Sequence, residues 1–149
     1  MKEMNKIKIE IKPLLDNVSI VRVAISSFIS TLDITIDELM DIKTAISEAV
    51  TNAIEHGYKE YDEKNIVNIK AYINDENVLS IEVEDFGIGI DDIELALTPT
   101  YTSKPELEHA GLGFTIMENF MDEVIVDSKI ECGTKISMKK ELKSHKSLK

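Results

Sequence analysis

Cysteine is almost absent from this chain. One residue, Cys132, cannot form an internal disulfide, which suits a reducing compartment. Apolar runs are short, and none approaches the length of a membrane span. The opening stretch, Met1 to Ile11, alternates charge with isoleucine and has no apolar h-region, so no secretory leader is expected there. These features predict a cytoplasmic protein. Basic charge is scarce too: 17 Lys and Arg stand against 28 Asp and Glu, a net charge of −11. Such a surface repels the phosphates of nucleic acid and anionic membranes and suits a partner with a basic face. Neither a G-x-x-x-x-G-K-[ST] loop, a Ser-His-Asp pattern nor a Cys/His cluster of metal-binding spacing is found.

What is present describes an ordinary globular domain: 149 residues, 43% hydrophobic and 30% charged, enough to bury a core. Ile7, Ile9 and Ile11 alternate with charged residues and read as a half-buried strand ended by Pro13. Asn17 and Ser19 are expected to cap a helix running to Leu32, with Val21, Ala24, Ile25, Phe28 and Ile29 on its inner face. Thr35 with Glu38 makes a capping box for a second helix, expected to reach His56 and stop at Gly57 as its C′ residue. Ile66 to Ile73 and Val78 to Asp85 read as a hairpin. Residues 86–111 hold three of the six glycines and two of the three prolines, and read as a long functional loop. A short helix from Gly113 to Phe120 and strands at Glu123–Asp127 and Thr134–Lys140 complete residues 1–142, with a basic, frayed tail at 143–149. The order predicts one α/β (α+β) two-layer sandwich, a mixed β-sheet with helices on one face.

On the second helix, Leu39, Ile42, Ile46, Val50 and Ala53 form the buried arc. Thr44, Glu48, Asn52 and His56 follow at i+4 as a polar stripe bordering it. The Asn52 carbonyl is a hard oxygen suited to Mg²⁺, which takes few protein ligands beside phosphates and water. Glu48, one turn away, is placed to accept a proton from an attacking hydroxyl. Taken by themselves the pair more often mark a solvated helix face. His56 likewise is more often a helix-end histidine than a ligand. Asp85 closes a strand before Phe86-Gly87-Ile88-Gly89, where a carboxylate can accept from an amine such as adenine N6 and the glycines permit close backbone approach. A plain strand-ending turn has the same letters. Asp85-Phe86-Gly87 also imitates the magnesium triplet of eukaryotic protein kinases, but their catalytic loop and β3 lysine motif are missing. Gly111-Leu112-Gly113 precedes a helix whose N–H groups suit phosphate oxygens. Lys104 could reach a γ-phosphate, and Thr134 could bond Asp85 or the base, though a lone lysine is usually solvated and Gly-Thr common at hairpins.

At these residues the chain resembles the GHKL ATPase superfamily. Ser47-Glu48-Ala49-Val50-Thr51-Asn52-Ala53 is similar to its N box, Asp85-x-Gly87-x-Gly89 to its first glycine box and Gly111-Leu112-Gly113 to its second. The N box extended to Ile54, with Thr102 to Glu108 and Gly113 to Asp122, resembles more narrowly the serine-protein kinases of that superfamily that act as sporulation anti-sigma factors. The likeness spans about residues 5–142. It implies a Bergerat fold with ATP or ADP and Mg²⁺ as ligands: Asn52 on the metal, Glu48 as catalytic base and Asp85 reading adenine. His56, Gly87, Gly89, Lys104, Gly111, Leu112, Gly113 and Thr134 would complete the nucleotide site, under an ATP lid at 91–110. It further implies a homodimer that sequesters a sigma factor and phosphorylates a serine of an anti-anti-sigma factor. Arg22, the sole arginine, and His109, standing where close relatives carry an arginine, would contact partners; the histidine would make that contact pH-sensitive. A nucleotide-gated binding module without phosphotransfer, a detached histidine-kinase ATPase domain and a stress-response kinase of the same family remain alternatives.

Overall fold

The computed structural model describes residues 2–58, 62–90, 93, 97 and 113–143. Strand β1 (Glu3–Ile11) is followed by helices α1 (Asn17–Ser30) and α2 (Ile36–Gly57). The hairpin β2 (Val67–Asn74) and β3 (Val78–Asp85) comes next, then helix α3 (Gly113–Phe120) and the hairpin β4 (Glu123–Lys129) and β5 (Gly133–Glu141). The sheet has five strands in the order β1-β2-β3-β5-β4. All four pairings are antiparallel, so the sheet is not mixed as expected from sequence. The reason is placement: β4 runs parallel to β3, but β5 lies between them, and the strand directions alternate throughout.

Pleating explains the two layers. Residues i and i+2 share a face, and in β2 the alternate residues Val67, Ile69, Ala71 and Ile73 are buried. Ile81, Val83, Ile136 and Met138 continue the same face on β3 and β5. Helix α2 covers that face with Ile42, Ile46, Val50 and Ala53 of the expected arc, joined by Ala45 and Ala49, while Leu39 is only half-buried at its edge. α1 adds Val21, Ile25, Phe28 and Ile29, and α3 adds Phe114 and Met117. Burying one such aliphatic side chain stabilises the fold by about 1.5–3 kcal/mol.

Helix ends settle three local expectations. The Thr35–Glu38 capping box is formed in both directions. Asn17 does not cap α1: its amide donates to Lys12 O, and the N-cap Asp16 makes no side-chain cap bond. Gly57 is not a left-handed C′ residue; it is the last residue of α2, and among the described residues the positive-φ glycines are Gly89 and Gly133. Its glycine has a different cause, which lies in the site.

Candidate nucleotide site

Three cross-strand rows of inward side chains cross all five strands. Ile7, Ala71, Ile81, Met138 and Val124 form one; Ile9, Ile69, Val83, Ile136 and Val126 form the next. The end row reads Ile11, Val67, Asp85, Thr134 and Ser128. Two rows are wholly apolar, and the third becomes polar over its last three positions. There the C-terminus of α2 meets the sheet.

Asp85 is buried, with 4% of its surface exposed. Its carboxylate lies against Gly57, where a Cβ would come within 2.7 Å of Asp85 Cγ. That contact, not helix termination, requires glycine at position 57. The Gly87 N–H donates to Asp85 Oδ1 at 3.0 Å, and the Thr134 backbone N–H also donates to the carboxylate. Burial raises the carboxyl to about 6 from its ordinary 3.8, against the lowering effect of those two N–H groups, while Glu84 adds a small upward push. Burial thus disfavours ionised Asp85 even though both bonds are formed, and a further donor to the carboxylate would favour that form.

The chain around Asp85 is held closely. Ile88 N donates to Gly57 O at 2.8 Å, and a Cβ on Gly87 would fall on that same carbonyl oxygen. Tyr58 donates its hydroxyl to Ile66 O at 2.6 Å and accepts from Phe86 N at 2.8 Å, tying the start of β2 and the end of β3 to the end of α2. Desolvation first, and then nearby Asp85, raise that phenol above its usual value, with the two backbone bonds opposing. Gly89 adopts φ +77°, and a Cβ there would fall on Lys129 O. Gly133, at φ +107°, would clash with Asp85 O. Both positions therefore demand glycine twice over, by conformation and by contact.

The other expected residues follow along α2. Asn52 and Glu48 are half-buried, one turn apart. At 1.5 Å per residue they lie about 8 Å and about 14 Å back from Gly57 along the helix axis. Glu48 faces the start of α3: its Oε2 is 3.5 Å from where a Gly113 Cβ would stand. That is ordinary contact, so packing among the described residues does not require glycine at 113. His56 is half-buried in the last turn, beside Gly57. Arg22 stands apart on α1, half-buried. Lys104, His109, Gly111, Leu112 and most of the expected 91–110 lid lie outside the described residues.

Sequence reasoning missed Gly57's contact, Tyr58 and Ser128. The Ser128 hydroxyl accepts from Ile90 N at 2.7 Å, lies 2.8 Å from Thr134 Oγ1 and donates to Gly133 O at 3.1 Å. A signal existed for it, since Val124, Val126 and Ser128 continue one period-two face. Ending β4 at Asp127 hid it. No group of three or more His, Cys, Asp or Glu that could cage a metal occurs among the described residues.

Comparison with known proteins identifies the family. The profile of the histidine kinase-like ATPase domain matches residues 11–140. An anti-sigma F factor of Clostridium novyi is 52% identical over 140 residues, covering 94% of this chain and 96% of the relative. Its counterpart in Clostridium perfringens is 55% identical over 138 residues, covering 93% and 97%. Among solved structures, the RsbU and RsbW domains of a Mycobacterium tuberculosis protein superpose with a TM-score of 0.69 at 19% identity, over 93% of this chain and 33% of that one, a likeness of fold. The chain belongs to the histidine kinase-like ATPase domain family, among the anti-sigma F factors with which it shares half its residues.

Proposed function

We propose that this chain is an Mg-ATP-dependent serine-protein kinase that also sequesters a sigma factor of the sporulation F type, acting as a homodimer in the cytoplasm. The observation that carries the reading is the buried Asp85 carboxylate beside Gly57, its charge disfavoured by burial and set at the polar end of the sheet. An exocyclic amine of adenine adds a further donor to that carboxylate. The α2 stripe then leads away from the base towards the phosphates, with Asn52 nearer and Glu48 farther.

In this reading Asn52 Oδ1 holds the magnesium, which when bound neutralises charge on the phosphate oxygens. Glu48 takes the proton of the substrate serine hydroxyl as its oxygen bonds the γ-phosphorus and ADP leaves. The opening of α3 at Gly113, beside Glu48, offers backbone N–H groups to the phosphates. Gly87, Gly89 and Thr134 line the base, His56 flanks it, and Lys104, Gly111 and Leu112 complete the phosphate side under the 91–110 lid. Arg22 and His109 contact the protein partners. Exposed Ile20 and Val23 border Arg22 on α1 and suit an apolar rim for such a contact.

Incubation with labelled ATP and the anti-anti-sigma protein tests the proposal. Phosphoserine on that protein is expected, together with retention of the sigma factor on immobilised chain. Retention without phosphoserine would make this a nucleotide-gated binding module instead. Loss of transfer with intact ATP binding in Glu48→Gln, and loss of Mg-ATP binding in Asn52→Ala, would assign the two roles.

A further inference from the structure

The proton arrangement around Ser128 is determined by its partners. The Ile90 N–H can only donate, and it lies 2.7 Å from Ser128 Oγ. Gly133 O can only accept, and it lies 3.1 Å from the same oxygen. Thr134 Oγ1, at 2.8 Å, can do either. Ser128 has one proton. Were it aimed at Thr134, two bare acceptor oxygens would face each other at Gly133. One assignment makes all three contacts hydrogen bonds: Ser128 donates to Gly133 O and accepts from both Ile90 N–H and the Thr134 hydroxyl. The Thr134 proton is then occupied, and its oxygen has only lone pairs left to offer.

Thr134 is the direct cross-strand partner of Asp85, and the two side chains share the inward face. We infer that Ser128 is a specificity-positioning residue: by taking the Thr134 proton it leaves an acceptor-only wall at Asp85 and Thr134, which favours a 6-amino purine and opposes a 6-oxo purine. The inference rests on the nucleotide reading above and adds to it a residue two strands away from Asp85. Adenine brings N–H donors to that wall. Hypoxanthine or guanine in the same pose brings a carbonyl oxygen, which a free Thr134 hydroxyl would satisfy and a committed one cannot. Ile90, bonded to the same oxygen, ties the residue after Gly89 to this arrangement.

Calorimetric titration of the full chain with ATP and with inosine 5′-triphosphate tests it, on wild type, Ser128→Ala and Ser128→Thr. The wild type is expected to prefer ATP. Ser128→Ala frees the Thr134 proton, and the ATP-to-ITP preference falls about tenfold, mainly through better ITP binding, as one recovered hydrogen bond allows. Ser128→Thr keeps the hydroxyl and keeps the wild-type preference. Ser128→Cys, similar in volume but a weak donor and acceptor, gives the same reading as alanine should that variant not fold. An unchanged preference in Ser128→Ala, or an equal fall in Ser128→Thr, overturns the inference. No ATP binding by the wild type would instead remove the nucleotide reading beneath it.

Discussion

The apolar rows of the sheet and its polar end row are built by one rule and serve opposite ends. Both arise from the same pleat, the same register and the same cover by α2. In the row of Ile69, Val83 and Ile136 every partner is apolar and these three are buried, so burial stabilises. One pleat further, burial acts on Asp85 in the other sense and pushes its carboxyl up to about 6. Equal burial therefore stabilises in one row and disfavours a charge in the next, a local cost of the kind that functional sites carry.

Substitutions along the rows should separate the two. Ile81→Ala, at a site with no exposed surface, is expected to cost about 2–5 kcal/mol of unfolding free energy by chemical denaturation, with ATP affinity per folded molecule unchanged. A Gly57→Ala variant places a Cβ within 2.7 Å of Asp85 Cγ; displacing that carboxylate should weaken ATP binding by about 1.5–3 kcal/mol, as loss of a charged hydrogen bond does. Asp85→Asn should lose a similar amount of binding yet match or exceed wild-type stability at pH 7.5, because the disfavoured buried charge is gone. If it unfolds as readily as Ile81→Ala, the contrast between the rows fails.

Acid gives a milder test. Asp85 has a folded value near 6, above its ordinary 3.8, so the folded chain binds the extra proton across that window. From this group alone, stability rises as pH falls from about 6 towards 3.8. ATP binding should move the opposite way, weakening about tenfold per pH unit below about 6 as the acceptor becomes protonated. Titrations at pH 7.5, 6 and 5 would check it, and flat affinity would detach Asp85 from the base. Smallest in effect, Thr35→Ala removes one half of the capping box, should cost about 1 kcal/mol of stability, and should leave nucleotide binding alone.

Much of this was legible beforehand. Alternation in β2 and β3, the apolar arc of α2 and the Thr35–Glu38 pair each depend on near neighbours, and the chain displays them directly. Asp85 was legible as a strand-ending acid before glycines. Its pressure on Gly57 was not, because that contact joins residues 28 apart and depends on how closely α2 docks. Ser128 needed the β4–β5 register, and the antiparallel character of the whole sheet needed the strand order; both are non-local. Tyr58 carried no signal at all, since its two backbone partners flank separate strands.

The last strand made is an inner one. β5 enters between β3 and β4, and with it come Thr134 beside Asp85 and Gly133 beneath the Asp85 carbonyl. A growing chain on the ribosome can assemble β1 to β3 and still present an open β3 edge, with Asp85 lacking its partner strand. Closure of the Asp85 site is in this sense a certificate of completion. A product cut short before residue 133 keeps most of its core residues and Asp85, but lacks the Gly133 and Thr134 that pack beside it.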